Sequence, residues 1–312
     1  MKNKNLKKLK GDASFRVFFR NKTKKTSSII VLANREKNKN LLIYDAINKI
    51  FIMNNILAPK LLSENYSKNY IEIEDFGNQT ICKLLKTNRI NKLAIYQKII
   101  KLLNKIQLIR QRKIKNFKKK SYRIPKYYPK ILLEEAKLFS DWYVEKKLSK
   151  SKLPMFKKKF KKVVNNLIKK LYLKNNVLVH RDFHVSNLMM FKNKIAVIDT
   201  QDALIGNKAY DLASLIDDVR FKTSKNTKKK LFDYYLKSQK KISKQRITND
   251  FEIISVLRNL KIIGIFKRLA VKDKKREYLK LIPNAWNLIK LRSKNNDKFK
   301  NLNDLLDTIK RN

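Results

Sequence analysis

The sequence predicts an α+β protein of two lobes, a small sheet-rich lobe followed by a larger, mostly helical one. Two observations carry this. The first seventy-odd residues read as short β-branched or aromatic runs around a single helix, and after Gly77 the texture changes to long apolar periodicities of helical spacing. A third observation marks the centre of the second lobe: Val177 to Val179 and Ile195 to Ile198 are short apolar runs suited to buried strands, and they flank a polar loop, HRDFHVSN. The expected lobes are residues 1–76 and 77–312, joined by a short hinge near Glu72 to Gly77.

Taken in order, Phe15 to Arg20 and Ser27 to Ala33 are strand runs separated by the polar turn NKTKKT, as in a hairpin. Leu41 to Asn54 carries Leu42, Ala46, Ile50 and Met53 at helical spacing, and Pro59 closes that element. Tyr70 to Phe76 alternates like a strand. Leu93 to Ile109, Leu132 to Lys146 and Phe156 to Leu171 are helical patterns. The segment RKIKNFKKKSYRIPKYYPK between the first two has Pro125 and Pro129 and no sustained period, so it reads as a solvated loop. Helical patterns resume at Tyr210 and run to the C-terminus, with no internal repeat.

The chain has 312 residues, 43% of them hydrophobic, enough to build a substantial core. Its formal net charge is +52, from 77 basic and 25 acidic residues. Such charge suggests polyanionic partners. The lysines, however, are scattered from Lys2 to Lys310 amid abundant Asn and Ile, which is the pattern of a compositional bias. At ~0.15 M salt the Debye length is ~8 Å, so dispersed lysines act locally and do not sum to one long-range field. No specific nucleic-acid site is expected. Cys82 is the only cysteine, which excludes an intramolecular disulfide and a thiolate metal site and fits a reducing cytoplasm. The N-terminus lacks an apolar leader, and no apolar run approaches the ~18 residues of a spanning helix. A cytoplasmic protein without membrane partners, and a monomer, is expected.

His180, Arg181, Asp182 and Asn187 spell HRDxxxxN, and a strand then delivers Asp199. Phosphoryl transfer from ATP needs this set: one carboxylate to orient and deprotonate a hydroxyl, and an Asn and a second carboxylate as hard oxygen ligands for Mg²⁺. Acids can hold cations and a proton where lysines cannot. A zinc site on His180 and His184 lacks a third soft ligand and is disfavoured.

These residues resemble a family, the aminoglycoside phosphotransferase and choline kinase group, and within it the bacterial N-acetylmuramate and N-acetylglucosamine anomeric kinases. The resemblance is carried by GDASFRVFFR (Gly11 to Arg20), IEDFG (Ile73 to Gly77), EAKLFSDWY (Glu135 to Tyr143), HRDFHVSNLM (His180 to Met189) and IDTQDALIGNKAYDLASL (Ile198 to Leu215). The matches keep family order over about two thirds of the chain. The resemblance implies a protein-kinase-like two-lobed fold and ATP and Mg²⁺ as cofactors. It also implies Asp182 as catalytic base, Asn187 and Asp199 as Mg²⁺ ligands, and the backbone of Ile73, Glu74, Asp75 and Phe76 as an adenine hinge. Asp211 would brace the catalytic loop, with His180 also structural, although Asp211 reads equally as an acid at a helix N-terminus.

The chain departs from the protein-kinase pattern in several places. With four glycines it has no GxGxxG loop, so phosphates would be covered by GDASFR, aided by Ser14 and Arg16. No lysine sits in IIVLA, and Thr200 replaces the family's Phe beside the metal ligand. For the acceptor, Gln201 has the best claim by position. Glu135 and Asp202 read equally as ligands of sugar hydroxyls or as structural acids, and Phe139, Trp142 and Tyr143 read as core. The function expected is an ATP-dependent kinase of a sugar hydroxyl, the anomeric one of N-acetylmuramate or N-acetylglucosamine, in cell-wall sugar salvage. The alternatives are an aminoglycoside, choline or other alcohol kinase, or an idle kinase-fold binding protein.

Overall fold

The computed structural model describes residues 6–9, 16–24, 26–33, 40–87 and 90–309. The strands are β1 (Leu6–Lys8), β2 (Val17–Lys22), β3 (Ser27–Leu32), β4 (Leu61–Asn65), β5 (Tyr70–Glu74), β6 (Lys113–Lys115), β7 (Ser121–Arg123), β8 (Asn175–Val179), β9 (Leu188–Phe191), β10 (Lys194–Val197) and β11 (Leu204–Asn207). The helices are α1 (Asn40–Met53), α2 (Ile81–Leu85), α3 (Lys92–Leu108), α4 (Pro129–Leu138), α5 (Leu153–Lys169), α6 (Ala209–Ile216), α7 (Lys225–Lys237), α8 (Lys244–Lys272), α9 (Ile282–Ser293) and α10 (Lys300–Asp307). The α+β expectation therefore holds. Contacts divide the chain into two compact units, Met1–Pro125 with His180–Leu204, and Lys126–Val179 with Ile205–Asn312. This partition differs from lobes at 1–76 and 77–312, since α2, α3 and the HRDFHVSN loop fall in the same unit as the five-stranded sheet.

The first unit is built on an antiparallel sheet in the order β1-β2-β3-β5-β4. Strand alternation decides which face is buried. Ile29 pairs with Ile73 and Val31 with Ile71, and these four side chains point together into a core with Leu41 and Tyr44 of α1. Burying each such aliphatic side chain is worth about 1.5–3 kcal/mol. On the opposite face Glu72 accepts hydrogen bonds from Ser28 and, at 2.9 Å, from Ser63. The β2–β3 turn closes on itself through Thr23 and Thr26, as the polar hexapeptide predicts. Met53, assigned to the apolar stripe of α1, is the last residue of the helix and is 66% exposed.

The segment expected to be a loop contains the β6–β7 hairpin. Its turn is made by Asn116, whose Oδ1 accepts from the amides of Lys118 and Lys120, with Lys119 left-handed at φ 58°. Local side-chain to backbone bonding of this kind leaves little trace in apolar periodicity. Strands β4, β9 and β11 were likewise not expected. Each is short and owes its definition to a neighbour.

In the second unit the pattern read as one helix from Leu132 to Lys146 is α4 followed by a π turn at Phe139–Tyr143 and a 3-10 turn at Val144–Lys146. Phe139 is fully buried and packs on Tyr143, Phe160 and Trp286, as expected of a core residue. The turn lies where α8 crosses. A Cβ at Gly264 of α8 would sit 2.2 Å from the Leu138 carbonyl carbon and 2.3 Å from its oxygen. Glycine is therefore required in mid-helix here for close approach of two backbones. Gly264→Ala should destabilise the fold by about 1–3 kcal/mol through overpacking, although alanine is about 1 kcal/mol the better helix former. Chemical denaturation measures it, and a neutral or stabilising result would mean that the contact is slack.

Candidate active site

The HRDFHVSN loop is fixed by what it buries. Phe183 and Val185 are fully buried, and His180, also fully buried, lies 6.1 Å from the Phe183 ring and 6.3 Å from Phe51. The His180 Nε2 meets the Ile198 carbonyl at 3.0 Å, tying the start of the loop to the end of β10. Arg181 takes the left-handed region at φ 73°, which costs a non-glycine residue free energy and persists only where the surroundings impose it. A 3-10 turn, Val185–Asn187, follows. Within it the Asn187 amide donates from Nδ2 to the Asp182 carbonyl at 3.1 Å, so that its Oδ1 is the atom turned to other partners. The Ile198 amide donates to the Asn187 carbonyl at 3.1 Å. Loop and strand end thus form one hydrogen-bonded piece.

Asp199 follows directly and is also left-handed, at φ 63°. Its Oδ1 accepts from Arg16 Nη2 at 2.7 Å, and Arg16 Nη1 donates to Gln201 Oε1 at 2.6 Å. Gln201 Nε2 in turn donates to Asp202 Oδ2 at 2.8 Å, and Arg181 lies 3.9 Å from the other Asp202 oxygen. Burial raises the Asp199 carboxyl above its ordinary range. Arg16 opposes the rise, Asp182 adds to it, His180 opposes it and Asp202 adds to it. Desolvation is thus the leading influence on Asp199, with Arg16 the main opposing charge. The donor set, one carboxylate and one amide oxygen, is that of a hard cation such as Mg²⁺, so the residues fit the expected metal. Among the described residues no three His, Cys, Asp or Glu side chains group to hold a metal by themselves.

Helix α1 holds the segment after Asp199 by polar contacts. Thr200, fully buried, donates to Asn48 Oδ1 at 2.6 Å, and Asn48 Nδ2 donates to the Pro59 carbonyl at 3.0 Å. Tyr44, one turn earlier, hydrogen-bonds the Asn48 side chain and the Asp199 main chain, and burial pushes its hydroxyl up to about 12. The segment beyond β5 is braced differently. Arg20 Nε lies 2.6 Å from Asp75 Oδ2, the Ser27 hydroxyl donates to the same oxygen at 2.5 Å, and the Gly77 amide donates to Oδ1 at 2.8 Å. Burial alone would raise the Asp75 carboxyl, but these partners together hold it below its usual range. The pairing of β5 with β3 stops at Glu74, which leaves the peptide groups of Asp75 and Phe76 outside the ladder. Phe76 is buried with Met189 and Ala196.

The model of the phosphotransferase enzyme family matches residues 5–243. The chain belongs to that family. It is 28% identical over 287 residues to the N-acetylmuramate/N-acetylglucosamine kinase of Neisseria meningitidis serogroup B, covering 89% of this chain and 83% of the relative. Among solved structures, a thermostable mutant of an aminoglycoside phosphotransferase superposes with a TM-score of 0.64 at 11% identity, covering 93% of this chain and 95% of that one. An amicoumacin kinase in complex with AMP-PNP, Ca²⁺ and Ami superposes with a TM-score of 0.63 at 13% identity, covering 92% and 88%. The expected protein-kinase-like fold and the small-molecule kinase class are met. No helix among the described residues is long and apolar enough to cross a membrane.

In this phosphotransferase the first unit gathers His180, Asp182, Asn187, Asp199, Gln201, Asp202 and Arg16, together with the Ile73 to Phe76 segment. Ser14 lies outside the described residues. Glu135 and Asp211 belong to the second unit. Glu135 accepts from the hydroxyls of Tyr127 and Tyr210, the latter at 3.2 Å, and pairs with Lys261 at 2.9 Å. It is one node of a buried polar network. Asp211 is buried in the first turn of α6.

Sequence reasoning missed Tyr44 and Asn48. Their signal was present as two polar groups one turn apart on the buried side of an apolar helix. Thr200→Val leaves the Asn48 oxygen buried without its donor and should cost about 1–3 kcal/mol. Asn48→Ala on its own and the double variant complete a cycle whose coupling should exceed about 0.5 kcal/mol, and additive losses in urea unfolding would deny the contact.

Proposed function

We propose that this phosphotransferase is an ATP- and Mg²⁺-dependent kinase of an amino sugar, transferring the γ-phosphoryl group to the anomeric hydroxyl of N-acetylmuramate or N-acetylglucosamine. The reading places it in the cytoplasm, as a monomer, in cell-wall sugar salvage. The observation that supports it best is the hydrogen-bonded piece that sets Asp182, Asn187 and Asp199 side by side. The relative from Neisseria supports the choice of sugar.

In this mechanism the Asp182 carboxylate orients the sugar O1 hydroxyl and takes its proton as O1 bonds to the γ-phosphorus and the bond to the β,γ-bridging oxygen breaks, releasing ADP. An anomeric hydroxyl is more acidic than an ordinary alcohol, so a carboxylate needs little elevation of its pKa for that task. Asn187 Oδ1 and the Asp199 carboxylate would hold Mg²⁺, which supplies neutralisation of charge on the triphosphate. The main chain at Ile73, Glu74, Asp75 and Phe76 would meet the adenine edge, with the Asp75 side chain occupied in bracing that segment. Ser14 would lie on the phosphate side. Gln201, held by Arg16 and holding Asp202, would face the acceptor. Residues 1–76 would form the nucleotide lobe and 77–312 the acceptor lobe.

Asp182→Asn should lower kcat by ~10²–10⁴ while leaving nucleotide affinity nearly unchanged, the range for a positioned general base. Equal turnover in the two proteins removes Asp182 from the mechanism. With ATP, free N-acetylmuramate or N-acetylglucosamine should give a 1-phosphate by phosphorus NMR, and the methyl glycoside, whose O1 is blocked, should be inert. Phosphorylation of the methyl glycoside, or of kanamycin or choline in preference to the free sugars, would overturn the acceptor assignment and leave the kinase chemistry in place.

A further inference from the structure

Arg16 was expected among the phosphate contacts, and its surroundings suit a different task. Its side chain is 4% exposed, and its guanidinium carbon lies 5.7 Å from the ring centroids of both Phe18 and Tyr44. A guanidinium held against two aromatic rings and bonded to two acceptors is a fixed cation, unlike an arginine that reaches into solvent for a phosphate. Its position follows from strand register. Val17 pairs with Leu32, so Arg16, one residue earlier, stands at the level of Ala33, the end of the IIVLA run that carries no lysine. The neighbouring strand thus supplies a buried positive charge that β3 does not.

That charge is spent on one particular carboxylate. Arg16 takes Oδ1 of Asp199 at 2.7 Å and, through its other terminal nitrogen, Gln201 at 2.6 Å, so the two ends of the guanidinium fork grip residues on either side of Thr200. Asp199 stands among the negative charges of Asp182 and Asp202. Left to themselves, such acids attract free divalent cations. We propose that Arg16 guards the cation face of Asp199: it limits the carboxylate to one available oxygen and offsets its charge, so that a divalent cation binds weakly by itself and firmly only with the phosphates of a nucleotide. This rests on the reading of Asp199 as a metal ligand. It adds that cation entry is made conditional on nucleotide by a residue that need not touch either substrate.

The test is Mn²⁺ binding to the nucleotide-free full-length protein, read from the loss of the free-ion EPR signal. Arg16→Gln should bind Mn²⁺ at least about tenfold more tightly than wild type, since it removes a unit charge in contact with the ligand. Adding Asp199→Ala to that variant should abolish the gain. Arg16→Lys, which keeps the charge and loses the fork, should fall between the two. If Arg16→Gln fails to fold by circular dichroism, the lysine variant carries the test on the same criterion. A folded variant that binds Mn²⁺ no more tightly than wild type, or a gain that survives Asp199→Ala, would overturn the proposal. Mn²⁺·ADP binding to Asp199→Ala alone separates the two failures. If that binding is lost while Arg16→Gln shows no gain, the guard fails and the ligand reading stands; if it is unchanged, the ligand reading itself has failed.

Discussion

The site depends on one electrostatic constraint, the compensation of a carboxylate held beside two others. Asp199 is in the left-handed region at the end of β10, near Asp182 and Asp202, where burial and like charge both work against ionisation. The Arg16 side chain is 4% exposed and that of Asp199 35%, so the costlier loss is that of the carboxylate, which would leave a buried guanidinium without its charged partner. Arg16 supplies the compensation, and much else follows from its placement. It must be buried, so Phe18 and Tyr44 flank it. It must stay aligned, so Gln201 takes its second nitrogen, and through Gln201 the alignment extends to Asp202.

Elsewhere several of the chain's few acids are also held inside. In the second unit Asp217 is fully buried and accepts two bonds from Arg292, at 2.8 and 3.0 Å, and one from Ser255 at 2.6 Å, with Lys228 at 3.3 Å. Burial would raise that carboxyl, and the cations, Arg292 foremost, bring it below its ordinary value. Asp250 accepts from the amides of Tyr172 and Leu173 and from Asn207. Glu135 joins Tyr127, Tyr210 and Lys261. With 25 acids against 77 bases, these buried acids brace helices and strand ends, and most lysines are left to water. The high net charge is in this sense a property of the surface, and the chemistry is written by a handful of acids.

The segment after Asp199 is supported by a hydrogen bond to α1. Where the family resemblance leads one to expect Phe after Asp199, Thr200 is buried and bonded to Asn48 of α1. A hydrogen bond is directional and an apolar contact is not, so the loop is registered against α1 at a single position. Tyr44 reinforces that register from the preceding turn.

The sequence by itself determined the things that are local: most of the runs that form strands and helices, and the residue types in IEDFG, in HRDxxxxN and at Asp199 from which a hinge and a kinase site are read. Those follow from periodicity and from residue types at fixed short spacings. It could not show the hairpin of β6 and β7, whose turn depends on one asparagine side chain, or strands such as β9 whose pairing partner defines them. Nor could it show that Glu135 is claimed by two tyrosines and a lysine. Only the tertiary structure decided that Arg16 meets Asp199 across 183 residues of chain and that Thr200 meets Asn48 across 152. Polar pairs of that kind carry no periodic signal, because a hydrogen bond is fixed by where two backbones arrive in space, and that is settled by the packing of the whole unit.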